Sequence, residues 1–167
     1  MAQFRGQRVG IFVDVQNMYY SAKHLYNSKV NFAQILKAAV ADRNLIRAIA
    51  YVIKADVKEE QNFFEALEKI GFEVKSKDLQ IFAGGAKKGD WDIGLAMDAI
   101  GLASKLDTIV IVSGDGDYVP LINYLRHALG CRIEIIAFGK SGSAMLKDAC
   151  DSFIDLGMDK KRYLISR

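Results

Sequence analysis

Hydrophobic residues along the chain alternate between short continuous runs and longer segments with helical spacing. The runs at residues 8–15 (RVGIFVDV), 45–53 (LIRAIAYVI) and 108–113 (TIVIVS) predict strands, because strands buried inside a parallel sheet are apolar on both faces. Segments 31–43, 57–71, 91–105 and 118–129 have the apolar spacing of helices. This order predicts the α/β class: a three-layer α/β/α arrangement with a mainly parallel central sheet.

The remaining segments predict shorter elements. Strands are expected at residues 72–77, 79–84, 131–139 and 152–157, with a short helix at 142–150. The strands VGIFV and TIVIV should lie at the centre of the sheet. CRIEII alternates charged residues with isoleucines, which predicts a strand nearer the edge with one wetter face. The helix at 57–71 is predicted to begin at an Asp56 cap, with Glu59 completing a capping box, and to end at Gly71.

Length and composition restrict the class of protein. The chain has 167 residues, one proline and no linker, repeat or low-complexity tract, so residues 1–167 are predicted to form a single domain. There is no run of eighteen apolar residues and no signal-peptide pattern, which predicts a cytoplasmic protein with no membrane contact. Cys131 and Cys150 lack the spacing of metal ligands and are expected to be reduced thiols.

Aspartates follow two of the predicted central strands. Asp14 ends the first strand, and Asp115 and Asp117 follow the strand at 108–113. In an open parallel sheet these strand ends share one ligand-binding edge, and a helix that starts there would add Asp90, Asp92 or Asp98. Asp98 lies about 240° around the helix from Asp92, so it is expected to support the ligands from behind.

Carboxylates gathered in this way repel one another, and a divalent cation relieves the repulsion. A few carboxylates with room for water and phosphate suit Mg²⁺ or Mn²⁺. Gly114 and Gly116 are expected to allow a sharp turn and to leave space for the ligand. The sequence therefore predicts a metal site at the carboxyl edge of the sheet.

The sequence lacks the motifs of several other kinds of site. His24 and His127 do not accompany a GxSxG nucleophile, and there is no GxxxxGK[ST] or GxGxxG loop for nucleotides. The segment after Asp115 lacks the ligand pattern of an EF-hand. A phosphatase with a DxDx[TV] motif is only a third choice, because Val-Gln-Asn follows Asp14.

Three motifs together resemble a known family. Asp14-Val-Gln-Asn17, Lys88-Gly-Asp-Trp-Asp92 and Ser113-Gly-Asp-Gly-Asp117-Tyr are similar to those of the NYN domain family, in its LabA-like branch, within the PIN-like nuclease group. The resemblance covers nearly the whole chain and implies a PIN-like sheet order of 3-2-1-4-5. It also implies a Mg²⁺- or Mn²⁺-dependent ribonuclease whose metal ligands and catalytic residues are Asp14, Asp92, Asp115 and Asp117, with Asn17 and Ser113 orienting them.

The hypothesis that follows is hydrolysis of an RNA phosphodiester by a metal-activated water that attacks phosphorus in line. The net charge is +3, and the surface outside the acidic pocket is more basic than this value. Lys87 and Lys88 are predicted to hold the phosphate. Further contacts to the RNA backbone are predicted for Lys54, Lys140 and residues 160–162. Stacking on bases is predicted for members of the set Tyr19, Tyr20, Trp91 and Tyr118, of which at least two are expected to lie in the core instead.

The expected substrate is single-stranded or structured RNA, because a narrow acidic pocket admits a flexible strand more readily than a duplex. The alternative is a regulatory module that binds RNA or protein and keeps the acidic pocket without cleaving RNA. A homodimer is one form that such a module could take.

Overall fold

The computed structural model describes residues 5–84, 87–88 and 90–166, with the side chains of residues 87 and 88 outside the description. Its strands are β1 (Arg8–Asp14), β2 (Ser28–Val30), β3 (Asn44–Lys54), β4 (Glu73–Asp78), β5 (Gln80–Ile81), β6 (Lys87–Lys88), β7 (Thr108–Val112), β8 (Arg132–Ala137), β9 (Ser152–Asp155) and β10 (Leu164–Ser166). Its helices are α1 (Val15–Tyr26), α2 (Phe32–Val40), α3 (Glu60–Ile70), α4 (Asp92–Leu102), α5 (Val119–His127), α6 (Ala144–Ala149) and α7 (Lys160–Tyr163).

The central sheet has six strands in the order β4-β3-β1-β7-β8-β9, and all its pairings are parallel. Numbered along the chain, these strands run 3-2-1-4-5-6. The expected order 3-2-1-4-5 is therefore confirmed, and β9 extends the sheet by one edge strand. The predicted α/β class with a mainly parallel sheet is confirmed as well.

The two central strands are buried on both faces, which explains their unbroken apolar sequences. On one face of the sheet, Val9, Ile11 and Val13 of β1 pack with apolar residues of α1 and α2. On the other face, Phe12 of β1 and alternate residues of β7 pack with α4 and α5. Helices on both faces thus remove the middle of these strands from water, and Asp14 at the carboxyl end of β1 is half-buried.

The interpretation of CRIEII as a strand with a wet face was wrong in one respect. β8 lies second from the edge, but Glu134 is only 7% exposed. The Arg43 guanidinium donates to both oxygens of Glu134, at 2.9 and 2.8 Å. The two charged residues of the strand contact each other, with Arg132 Nε 3.1 Å from Glu134 Oε2, and Arg43 from a distant part of the chain completes a buried ion pair with Glu134.

Two predicted boundaries also change. Helix α3 begins after Glu59, which makes no side-chain cap, and Asp56 has a left-handed backbone with φ 58°. The Glu60 carboxylate instead accepts hydrogen bonds from the backbone N–H groups of Ala55 and Val57, both at 2.8 Å. The strand expected at 79–84 is reduced to β5, which pairs antiparallel with β6 outside the central sheet.

No helix in the described residues is long and apolar enough to cross a bilayer.

Candidate metal centre

Three carboxylates from separate parts of the chain meet at the carboxyl edge of the sheet. Asp14 is the last residue of β1, Asp115 follows the neighbouring strand β7, and Asp92 is the first residue of α4. Each offers one oxygen atom, and these three atoms lie within 4.8 Å of one another. All three side chains are half-buried. This is the convergence that the parallel pairing of β1 with β7 predicts.

Polar contacts connect Asp14 to the turn after β7. Ser113 is buried, and its Oγ donates to Asp14 Oδ2 at 3.3 Å and accepts from the Asp115 backbone N–H at 3.2 Å. Asn17 Oδ1 accepts from the Gly114 N–H at 2.9 Å, while the Asn17 backbone N–H donates to Asp14 Oδ1 at 3.2 Å. These contacts fix the two strand ends relative to each other.

The Tyr118 hydroxyl lies between two of the carboxylates. Its oxygen is 3.3 Å from Asp14 Oδ2 and 3.1 Å from Asp92 Oδ1, and the residue is only 2% exposed. Because a phenol has one proton, it donates to one of the two carboxylates at a time. Tyr118 therefore offers no free ring face for base stacking, and that part of the sequence prediction is corrected: its role is to contact the acidic group.

Burial and mutual repulsion perturb these acids. Burial is the main cause that raises the pKa of Asp14 to about 6; the Asn17 backbone N–H lowers this pKa, and the charge of Asp92 raises it. The pKa of Asp92 is also raised, first by burial and then by the charges of Asp115 and two further aspartates, while the hydrogen bond from Tyr118 lowers it. The centre thus holds excess negative charge at a partly desolvated position.

The donor set fits a hard divalent cation. Three carboxylate oxygens within reach of one point are suited to Mg²⁺ or Mn²⁺, which keep several waters in addition to a few carboxylates. In the described part of the chain, no ion pair between side chains involves Asp14, Asp92 or Asp115. A bound cation would therefore supply compensation that the described side chains do not.

Asp117, the fourth predicted ligand, lies at the border of this group. It lines the same cleft as the three acids, as does Asp90, but its side chain is exposed and it is not one of the three whose oxygens converge. Its backbone N–H donates to Asp115 Oδ1 at 2.9 Å. The structure thus places Asp117 at the mouth of the cleft.

The glycines of the Ser113–Asp117 turn are required for a different reason from the one expected. Neither Gly114 nor Gly116 has a positive φ, so the turn needs no left-handed residue. A Cβ on Gly116 would lie 2.9 Å from Ser143 Oγ, and one on Gly114 would lie 3.3 Å from the Ser141 carbonyl oxygen. The glycines therefore permit close approach of the loop before α6.

Trp91 positions Asp92 and presents no free ring face. Its indole N–H donates to the Val52 carbonyl at 2.8 Å, and its ring packs against Tyr51 at a centroid distance of 5.3 Å. Lys77 lies over the ring at 5.1 Å. This corrects the prediction that Trp91 stacks on a base, because these contacts hold the start of α4 against β3.

Asp98 has partners other than the metal ligands. Its Oδ2 accepts from the Tyr51 hydroxyl and from Lys75 Nζ, each at 2.8 Å. Although partial burial opposes the change, these two bonds lower the pKa of Asp98. Asp98 lies on a different side of α4 from Asp92, and its side chain points to β3 and β4. Its partners therefore come from those strands and not from the metal ligands.

Tyr19, Lys87 and Lys88 were also predicted to contact RNA. The ring of Tyr19 packs edge-on against Tyr20 at 5.5 Å, and only Tyr20 of this pair lines the acidic cleft. The predicted phosphate contacts of Lys87 and Lys88 lie outside the described side chains.

The cleft is also lined by residues that are not among the predicted site residues. It has a volume of about 490 Å³, and its wall includes Gln16, Ser21, His24, Leu25 and Ser141. Four residues of α1, at positions 17, 21, 24 and 25, recur at helical intervals and share one face. That spacing was the available signal, because residues following Asn17 at these intervals must point to the same cleft.

Comparisons with known proteins agree with this description. The model of the NYN domain family matches residues 8–157. The protein named low amplitude and bright protein LabA, from Synechococcus elongatus, is 27% identical over 168 residues, which cover 92% of this chain and 86% of LabA. A solved structure of a protein of unknown function from Vibrio parahaemolyticus superposes with a TM-score of 0.88 at 30% identity, covering 96% of this chain and 98% of that one. The matched residues include Asp14 at the end of β1, Asp92 at the start of α4 and Asp115 in the turn after β7. The chain therefore belongs to the NYN domain family.

Proposed function

We propose that this protein is a Mg²⁺- or Mn²⁺-dependent ribonuclease that hydrolyses RNA phosphodiester bonds. The observation that carries the proposal is the meeting of Asp14, Asp92 and Asp115 within 4.8 Å at the carboxyl edge of the sheet. Membership of the NYN family supports a nuclease-like function related to RNA. The open cleft beside the acids offers room for a flexible strand.

Some side chains of the centre would bind the cation, and others orient the side chains that bind it. Asp14, Asp92 and Asp115 would hold the cation, while Ser113 and Tyr118 fix the Asp14 carboxylate by hydrogen bonds. A divalent cation held there supplies the acidity that turns a water into a nucleophile and neutralises charge on the phosphate. Exposed Asp117 would receive hydrogen bonds from water at the mouth of the cleft.

A second function, that of a non-catalytic module, is favoured by one observation. Ile93, Met97 and Ile100 on the outer side of α4 are 79%, 65% and 37% exposed. Their spacing of four and three residues places them on one face of the helix. Such a face suits contact with another protein or a second copy of this chain.

The test combines metal binding with cleavage. We expect calorimetry to detect Mn²⁺ binding, and labelled single-stranded RNA to be cut in Mn²⁺ or Mg²⁺ but not in excess chelator. Parallel reactions contain single-stranded DNA, duplex RNA and a small phosphomonoester. Binding of Mn²⁺ without any RNA cleavage would favour the non-catalytic module, and hydrolysis of the phosphomonoester alone would indicate a phosphatase.

The affinity for Mn²⁺ should depend on pH through Asp14. The pKa of Asp14 is raised to about 6 in the metal-free protein, and a metal ligand must be deprotonated. We therefore expect the affinity to be constant above about pH 7 and to fall by about tenfold per pH unit below about pH 6, where one proton must be displaced.

Calorimetry in buffers of different ionisation enthalpy measures this displacement. Uptake of about one proton by the buffer is expected near pH 5 and almost none near pH 8. In the metal-free protein, the raised pKa makes a contribution to stability that is present at pH values below the unfolded pKa and is lost as the pH rises through about 6. An affinity for Mn²⁺ that stays constant down to about pH 5 would contradict the assignment of Asp14 as a ligand.

A further inference from the structure

A second cleft lies beyond the C-terminal end of α1. Its volume is about 500 Å³, and the residues that line it are Tyr26, Ser28, Lys160, Lys161, Leu164 and Ser166. The wall of this cleft, as far as the structure describes it, contains two lysines and no acidic residue. Its charge is therefore opposite to that of the acidic cleft, where five aspartates line the wall.

Tyr26 contacts one lysine of this basic cleft, Lys160, and a further lysine, Lys140, from the loop before α6. Lys160 Nζ lies 4.8 Å from the centre of the Tyr26 ring, and Lys140 Nζ lies 5.9 Å from it. Contact with the ring restricts these long side chains before any ligand arrives. Two ammonium groups near one ring concentrate positive charge at this position, which favours the binding of an anion. A phosphate group has the charge and the several acceptor oxygens that this arrangement requires.

The acidic and basic clefts are connected on two sides. Adjacent residues of one loop serve both, since Ser141 lines the acidic cleft and Lys140 lies on Tyr26. On the other side, α1 lines the acidic cleft from Asn17 to Leu25, a length of about 12 Å, and the basic cleft begins at the next residue, Tyr26. The two clefts therefore lie at successive positions along α1.

An aromatic pair lies along the same stretch of α1. The rings of Tyr20 and His24 are stacked, with centroids 6.3 Å apart and an interplanar angle of 26°. Both residues line the acidic cleft, and Tyr20 is 48% exposed. Exposed flat rings of this kind are platforms for unpaired bases in proteins that bind single strands.

We propose that a single RNA strand, with its scissile phosphate at the three carboxylates, runs along α1 over Tyr20 and His24 and places a phosphate farther along the strand in the basic cleft. Lys140, Lys160 and Lys161 bind that phosphate. This inference rests on the proposed ribonuclease function and adds a second anchoring site for the substrate. A ligand that carries both flat rings and anionic groups in every unit fits a surface with an aromatic pair followed by a basic cleft, whereas a peptide of acidic residues alone has no flat rings.

The first test measures RNA binding with the metal removed by chelator, so that no cleavage occurs. The variant combines Lys140→Gln, Lys160→Gln and Lys161→Gln. The matched control combines Lys37→Gln, Lys58→Gln and Lys69→Gln, which removes the same charge from exposed positions on or next to α2 and α3. The probe is a labelled oligouridylate of about 12 nucleotides, and its binding is measured by fluorescence anisotropy.

Loss of phosphate contacts has a characteristic salt signature. Each phosphate that a single strand places on basic side chains contributes about 0.7 to the slope of log affinity against log salt, so the cleft variant, which loses one such phosphate, should lose about 0.7 units of slope. Its affinity at low salt should fall on the order of tenfold, while the control keeps the wild-type slope. Equal slopes for the cleft variant and the control would overturn the proposal.

The second test measures cleavage as a function of RNA length. Wild-type protein should cut the long oligouridylate faster than a trinucleotide, because only the long strand reaches both clefts. The cleft variant should lose this preference, so that its rates on the two substrates converge, whereas the matched control keeps the wild-type preference. A preserved length preference would overturn the proposal and leave the ribonuclease function intact.

The remaining outcomes separate the two proposals and the class of ligand. If the lysines are needed for RNA binding but no cleavage occurs with Mn²⁺, the ribonuclease function fails and the basic cleft stands as an RNA site. Polyglutamate serves as a competitor of similar charge without flat rings. If it displaces the RNA at equal charge concentration and with the same salt slope, the assignment to RNA is overturned in favour of an acidic protein segment.

Discussion

Replacement of Asp115 by asparagine should abolish Mn²⁺ binding and reduce RNA cleavage on the order of 100-fold or more. Loss of a residue that merely supports a metal ligand costs about 10- to 100-fold, so loss of a ligand itself should cost at least as much. Asparagine keeps an oxygen that can accept from the Asp117 backbone N–H, as Asp115 Oδ1 does. The fold should therefore remain intact and become slightly more stable, because one of the repelling charges disappears.

Asp148→Asn is the matched control. Asp148 is exposed on α6, so this variant removes the same charge away from the cleft. It should bind Mn²⁺ and cleave RNA at the wild-type level. Thermal unfolding of both variants, with and without Mn²⁺, separates loss of the ligand from loss of the fold. Undiminished cleavage by Asp115→Asn would refute the assignment of the metal centre.

Replacement of Arg43 by alanine should cause a large loss of stability. The side chains of Arg43 and Glu134 are only 4% and 9% exposed, and the guanidinium also donates to the carbonyls of Ala39 and Val40. Glu134 would keep its contact with Arg132 Nε, at 3.1 Å. Removal of one partner of a buried ion pair costs about 3–5 kcal/mol, and the lower end of this range is expected here because Arg132 remains. For a chain of this size, that corresponds to a fall in melting temperature of about 10 °C.

Arg47→Ala provides the comparison. Arg47 also pairs with a glutamate, Glu73, through two guanidinium nitrogens, but these side chains are 35% and 49% exposed. An exposed pair contributes only about 0–1 kcal/mol, so this variant should melt close to the wild type. Equal losses of stability in the two variants would contradict the role assigned to burial.

The sequence was sufficient to predict the fold and the location of the acidic centre. Continuous apolar runs in β1 and β7 indicate strands covered on both faces, and such strands occupy the middle of a parallel sheet. The family resemblance supplied their adjacency. Once β1 lies beside β7, the meeting of Asp14 with Asp115 follows from geometry, because parallel strands end at the same edge.

The exceptions depend on side chains whose partners are distant in the sequence. Tyr118 was predicted to be a base platform, yet it is buried with its hydroxyl between two carboxylates. Trp91 was assigned the same role, but its N–H and ring are engaged by β3 and β4. A tyrosine or tryptophan beside a motif has the same appearance in sequence whether it faces a ligand or the core, because partners from other elements decide which face is covered.

The pairing of β1 with β7 also determines when the centre can assemble during synthesis. Asp14 and Ser113, which contact each other, are 99 positions apart. At about 5 to 20 residues per second, a ribosome needs roughly 5 to 20 seconds to add the intervening chain. A nascent or truncated chain that ends before residue 108 lacks Asp115, so it cannot form the three-carboxylate group.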